Sequence, residues 1–254
     1  MAAAVSAVDA YRHEALDTVG STNSEAMDRA RSGDTGRLWL TARQQMSGRG
    51  RRGRSWASEP GNLYASLLLI DPAPEAMTAS LPLVAALGVH GAISRVMAGQ
   101  DSAVAIKWPN DVLIDRKKVC GILLEAERLA DGRQAVVIGI GVNVAYGPDN
   151  APYPVARISD YVAGADPETL FAHLFVTMAE ELLVWDRGEG LARTVARWRA
   201  AACGINEPIR VNLAREQISG IFVGIDDAGM LKLKTENGLR TFAAGDVFFD
   251  NGNG

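Results

Sequence analysis

The chain has 254 residues, a formal net charge of −4 and a hydrophobic fraction of 48%, ordinary for a folded protein and too apolar for a disordered one. Its length suits one large domain, or one domain with a small appendage. No apolar run approaches the ~18 residues of a membrane span, the start lacks the basic segment of a signal peptide, and two distant cysteines, Cys120 and Cys203, make neither a disulfide framework nor a zinc pattern. A reducing cytoplasm is the expected location, and the acidic balance argues against bulk nucleic-acid binding.

Residues 1–10 read as a loose tail. Thr22-Asn23-Ser24-Glu25 fits a capping box, with Thr22 as the cap, so a helix is expected from there to about Gly33. Leu38 to Ala42 and Asn62 to Ile70 read as strands, joined through an Arg/Gly-rich loop. Ser80 is placed to cap a long apolar helix that carries Pro82 in its first turn. Short strands follow at Val104–Lys107, Val112–Ile114, Val119–Glu127 and Gln134–Val144, the last two around an Asp131-Gly132 turn. Asp166-Pro167-Glu168 starts another helix, and one more is expected over Leu191–Ala201. From Glu207 onward only short strands and tight turns remain, the pattern of a small antiparallel barrel, so a domain boundary is expected near Cys203–Asn206.

Four segments carry candidate chemistry. Gly20-Ser21-Thr22-Asn23 puts hydroxyls at a helix N-terminus, which suits a polar ligand and equally a plain cap. Gln45 and the run Ser47-Gly48-Arg49-Gly50-Arg51-Arg52-Gly53-Arg54-Ser55-Trp56 combine close-approach glycines with forked cations. Such a loop suits closure over an anionic, nucleotide-like ligand, or a solvated basic loop, or a nucleic-acid contact. In Lys107-Trp108-Pro109-Asn110-Asp111 the proline ends a strand and leaves Lys107 at its tip, either to neutralise a carboxylate and a phosphate or as a surface lysine. Lys118-Val119-Cys120-Gly121-Ile122-Leu123 and Gly139-Ile140-Gly141-Val142-Asn143 hold glycines inside strands, which marks close approach of a flat ligand or dense core packing.

In this order and spacing the segments resemble the biotin protein ligase family, over about Tyr11 to Phe249. The resemblance implies an α/β (α+β) architecture: a mixed-sheet catalytic domain flanked by helices over 11–204, then an SH3-like β-barrel over 205–254. It implies that biotin and ATP give biotinyl-5′-AMP and pyrophosphate, with Mg²⁺ on the phosphates, and that the acyl group passes to a lysine of a biotin carboxyl carrier protein. Carried over by position, Ser21, Thr22, Asn23, Gln45, Arg49, Gly50, Arg51, Lys107 and Gly121 would contact biotin. Arg49, Arg51, Arg52, Trp56 and Asn143 would contact the nucleotide. Lys107 and Arg51 would be catalytic, and Asp111 would touch the metal or orient Lys107. Cys120 stands where the family often has alanine, which would make the site thiol-sensitive. Ser21 falls too early for a preceding DNA-binding domain, so no DNA and no membrane partner is expected, and a homodimer is plausible. A lipoate or octanoate ligase of the same fold is the nearest alternative, and a nucleic-acid-binding module using the Arg/Gly loop is the one of a different class.

Overall fold

The computed structural model describes residues 8–148, 151, 153–213 and 216–249. Strands β1 (Arg12–Val19), β2 (Leu38–Gln45), β3 (Leu63–Ile70), β4 (Val104–Lys107), β5 (Asp111–Ile114), β6 (Lys117–Arg128) and β7 (Gln134–Val142) form one sheet in the order β1-β2-β3-β7-β6-β5-β4. β1 and β2 run parallel and every other neighbour is antiparallel, so the sheet is mixed. β1 was not foreseen. It is an edge strand whose RHEALDTV sequence is mostly exposed, so it lacks the apolar run that betrays a central strand.

The central strands are buried on both faces, and side-chain alternation divides them between two cores. Leu38, Leu40, Leu68, Ala135 and Val137 pack with Ala26, Met27 and Ala30 of α1 (Thr22–Arg31). The alternate residues Trp39, Leu67, Val136, Ile138 and Ile140 face the larger core. That core includes residues of α3 (Leu81–Val96), α4 (Pro167–Trp185) and α5 (Leu191–Ala201), while the one-turn α2 (Glu75–Thr78) leads into α3. Asp166 caps α4 by accepting the Thr169 N–H at 2.8 Å, as its sequence anticipates. Ser80 precedes α3 but does not cap it through its side chain; its hydroxyl donates to Met77 O and accepts the Trp185 indole N–H.

The C-terminal segment is a five-stranded antiparallel sheet in the order β11-β10-β9-β8-β12, built from β8 (Pro208–Asn212), β9 (Gln217–Ile225), β10 (Leu231–Thr235), β11 (Gly238–Phe242) and β12 (Asp246–Phe249). Its apolar side, including Phe222, Leu231 and Leu233, joins the larger core. Trp108 donates its indole N–H to Gly229 O at 3.1 Å, and Arg199 donates to Ile225 O, so polar bonds also fix this sheet beside the first.

The packing of α3 on α4 depends on small residues. A methyl group at Gly88 would sit 3.0 Å from Met178 Cε, and the Thr177 hydroxyl donates to Gly88 O at 2.7 Å. Met178 is fully buried in this contact. Met178→Ala is expected to cost about 2–5 kcal/mol, because the glycine opposite cannot fill the cavity. Urea denaturation followed by far-UV circular dichroism measures it, and a midpoint equal to wild type would contradict the assigned packing.

Candidate active site

A cavity of about 450 Å³ opens between the N-terminus of α1, the Arg/Gly loop, the β4–β5 turn, the faces of β6 and β7, and β12. It is lined by Ser21, Thr22, Asn23, Gln45, Arg49, Gly50, Arg51, Trp56, Lys107, Asp111 and Gly121, so most of the residues singled out from the sequence meet there. Two do not reach its wall. Asn143 is buried, and its amide donates to Ala156 O, which holds the chain beyond β7 rather than a ligand. Arg52 takes a left-handed conformation (φ 56°) that turns its guanidinium onto Asp246 and Asn212 O.

The start of α1 departs from the expected capping box. Ser21, not Thr22, is the N-cap, and its side chain makes no cap bond. Thr22 instead donates its backbone N–H to Gln45 Oε1 at 2.9 Å, and its hydroxyl lies 3.1 Å from the same oxygen. That single amide oxygen holds the threonine against β2. The other end of the Gln45 amide donates to Ser58 Oγ at 3.0 Å, and Ser58 donates to Trp56 O. The buried Ser66 hydroxyl lies 2.7 Å from Thr22 Oγ1 and 2.6 Å from Asn23 Oδ1.

Gly121 and Gly141 face each other across β6 and β7, and the Trp56 ring lies over both. A Cβ at Gly121 would stand 2.8 Å from that ring, and one at Gly141 2.5 Å from its Nε1, so only glycine admits the tryptophan. At Gly139 a Cβ would strike the Asn23 amide. Among the described residues the Trp56 indole N–H has no acceptor. Cys120, next to Gly121 on β6, is fully buried in the core, and burial pushes its thiol up, away from the reactive thiolate. The expected thiol sensitivity is therefore corrected: the sulfur faces the core, not the cavity.

The charges are grouped around carboxylates. Asp111 accepts Lys107 Nζ at 3.1 Å and Lys118 Nζ at 2.7 Å. Burial pushes the Asp111 carboxyl up, but Lys118 and Lys107, helped by Arg51, more than offset it and hold the carboxyl below the usual carboxylate range. Lys118 opens the singled-out segment Lys118–Leu123 but carries no role from the sequence, because the glycine behind it is the feature that marks that segment and its charge follows directly on the Asp115-Arg116-Lys117 turn. The β5–β6 turn at Asp115-Arg116, both at positive φ, brings β6 back beside β5 and puts Lys118 against Asp111. Its ammonium also lies 5.2 Å from the centroid of the Tyr153 ring.

Asp246, at the start of β12, accepts from Arg51 (2.9 Å), Arg52 (3.0 Å) and Arg54. Nothing local in the sequence marks it, since 195 residues separate it from Arg51. Arg49 turns the other way, to Glu125 and Ser24.

The residues do not fit a protein-held magnesium. Both Asp111 oxygens are taken by lysines, and among the described residues no group of three His, Cys, Asp or Glu side chains could hold a metal ion. Of the two roles considered for Asp111, the structure displays the orienting one, since it holds Lys107 and with it Lys118.

Residues 18–143 match the model of the biotin/lipoate A/B protein ligase family, and residues 204–250 match the biotin protein ligase C terminal domain. A biotin–[acetyl-CoA-carboxylase] ligase of Paracoccus denitrificans is 39% identical over 92% of this chain and 99% of its own length. The chain belongs to the biotin protein ligase family. The bifunctional ligase/repressor BirA of Bacillus subtilis is 31% identical to it, over 91% of this chain and 72% of the relative. A solved biotin protein ligase from Aquifex aeolicus, in complex with biotin and ATP, superposes with a TM-score of 0.77 at 25% identity, over 94% of this chain and 99% of that one. The ligase is thus an enzyme, and the second matched region favours biotin over the lipoate alternative. Among the described residues no helix is long and apolar enough to cross a membrane.

Because Asp111 is held ionised to lower pH in the folded ligase than in the unfolded chain, its stabilisation is full above the ordinary aspartate pKa of about 3.9 and is lost as pH falls through the folded value. Asp111→Asn is expected to cost about 3–5 kcal/mol at pH 7, because it leaves two lysines side by side without their carboxylate. It should also flatten the fall in stability below about pH 4. Urea midpoints taken from pH 7 to pH 3 measure both, and parallel acid limbs in variant and wild type would contradict the assignment.

Proposed function

We propose that the ligase joins biotin to ATP, giving biotinyl-5′-AMP and pyrophosphate, and then biotinylates a lysine of a biotin carboxyl carrier protein, such as that of acetyl-CoA carboxylase. The observation that carries this reading is the convergence of Lys107, Lys118, Arg49, Arg51 and Arg54 on one cavity whose strand glycines admit the Trp56 ring. In the first step a carboxylate oxygen attacks the α-phosphorus of ATP and the bond to the pyrophosphate oxygen breaks. Two anions must approach, and the cations on the wall lower their repulsion. Lys107 and Lys118 act as a pair in this role. Asp111 fixes both ammonium groups, and Arg51 bridges from them toward Asp246. Magnesium enters with the nucleotide, as MgATP. Ser21, Thr22, Asn23, Gln45, Gly50 and Gly121 contribute the polar wall and floor that take biotin.

In the second step the carrier lysine attacks the acyl carbon, the bond to AMP breaks, and the amine gives up a proton. The adenylate is a mixed anhydride that water would hydrolyse, so the arginine loop serves to exclude water until the carrier arrives. We take residues 11–204 as the catalytic unit and 205–254 as a second unit that supplies Asp246 to the loop. The alternative nucleic-acid module is disfavoured, because the loop's arginines turn onto Asp246 and Glu125 instead of outward.

Incubation with biotin, MgATP and a biotin carrier domain should label the carrier on an avidin blot, and lipoate should not replace biotin. Lys118→Ala and Lys107→Ala should each slow biotin-dependent pyrophosphate exchange by roughly 10²–10³, the usual effect of removing one charge-stabilising group from a closed site. An exchange rate equal to wild type in both variants would defeat the role given to the lysine pair. Arg51→Gly should release the adenylate faster, and an unchanged off-rate would remove Arg51 from the closure.

A further inference from the structure

Glu125 lies on β6, outside the cavity wall, and nothing in the reaction above requires it. Its carboxylate is nevertheless the meeting point of two separate parts of the site. One oxygen accepts the Asn23 amide at 2.7 Å, and both accept Arg49 Nη2 at 3.1 Å. Arg49 Nη1 donates to Ser24 Oγ at 3.0 Å, so the first arginine of the loop is held against the start of α1.

Polar contacts around it run in sequence. Trp56 O accepts from Ser58, Ser58 from Gln45, and the Gln45 carbonyl from the Thr22 backbone N–H. With the Thr22 hydroxyl turned to Ser66, the one Ser66 proton goes to the Asn23 carbonyl, and the Asn23 amide donates to Glu125, which Arg49 also reaches. The run therefore starts at Trp56, on one end of the Arg/Gly loop, and finishes at Arg49, on the other. Glu125 only accepts at this end, as the Trp56 carbonyl does at the other. It fixes which way the Asn23 amide faces: Nδ2 outward to the carboxylate, Oδ1 inward to Ser66.

We propose that Glu125 is a positioning residue for the ligation reaction: it anchors Arg49, and with it the leading end of the loop, to the β6 wall, and so sets how long the activated intermediate is retained. This rests on the reaction proposed above. The pair is partly exposed, with Arg49 at 42% and Glu125 at 35%, so its strength is that of a modest ion pair rather than a buried one. The expected consequence is a change in loop opening rate, not a loss of the fold.

Glu125→Gln tests it, because the amide oxygen still accepts from Asn23 while the charge opposite Arg49 is gone. Dissociation of preformed biotinyl-5′-AMP should become about three- to fivefold faster, with the KM for biotin within twofold of wild type. Glu125→Asp keeps the charge and should bring the off-rate back toward wild type, even though its shorter reach weakens the Asn23 bond; a merely structural role would not give that order. Equal off-rates for Glu125→Gln and wild type overturn the proposal. So does an undiminished effect of Glu125→Gln in an Arg49→Gln background, since the carboxylate would then act without its arginine. Trypsin cleavage after the loop arginines, followed on the protein alone, should also be faster in Glu125→Gln, and a rate equal to wild type overturns the anchoring. This second arm needs no adenylate, so a wild-type protein that forms none would defeat the reaction and leave the anchor to be decided by proteolysis.

Discussion

A buried carboxylate between two lysines is the interaction on which the cavity is built. Lys107 comes from the tip of β4 and Lys118 from the start of β6, and two ammonium groups brought this close would repel each other. Asp111, only 7% exposed, accepts from both. Burying an ion is costly, and the pair of short charge-assisted bonds is what offsets that cost. The β4–β5 turn is thereby fixed in position, because it carries both ends of the Lys107–Asp111 bridge. Its neighbour Trp108 then reaches Gly229 in the second sheet, so the same turn also locates the C-terminal unit.

The arginines follow the same logic with partners from farther away. Asp246 gathers Arg51, Arg52 and Arg54, and Glu125 takes Arg49. Guanidinium groups suit this because each presents a planar fork that one carboxylate can engage from several sides. The loop has little apolar material of its own; none of Arg51, Arg52 and Gly53 is buried. Its shape is set by ion pairs at both ends, by the Arg49–Ser55 bridge and by Trp56 on the glycine floor.

The parts of the site legible in the sequence are those whose residues are neighbours in the chain. The Arg/Gly loop, Lys107 to Asp111 and the strand glycines each carry a local signature, and together they indicated the family and the mixed α/β fold. Asp246 and Glu125 carry none. Lys118 heads a marked segment, but its role is not written there: only the register of β5 on β6 sets it beside Asp111. Asp246 depends on how the second sheet docks, which no short-range pattern encodes. β1 was hidden for a related reason: an edge strand buries too little to need an apolar run. Thr22 looked like a cap because its local spacing is that of one, and a distant glutamine oxygen redirected it.

These long-range partners also explain how an acidic chain can house a cationic site. Six cations, Lys107, Lys118, Arg49, Arg51, Arg52 and Arg54, face three carboxylates, Asp111, Asp246 and Glu125. The carboxylates are enough to let the cations sit close together in the folded chain without driving the loop and the turn apart. They are too few to neutralise them, and of these groups the cavity wall itself holds Lys107, Lys118, Arg49, Arg51 and Arg54 against Asp111 and Asp246, so it keeps a positive surplus inside a molecule of net charge −4. That surplus is confined to one concave region, where the low-dielectric walls strengthen its pull on anions. A protein with the same six cations spread over its surface would attract polyanions of every kind; one that concentrates them behind its own carboxylates favours a compact anion able to compete for several of them at once.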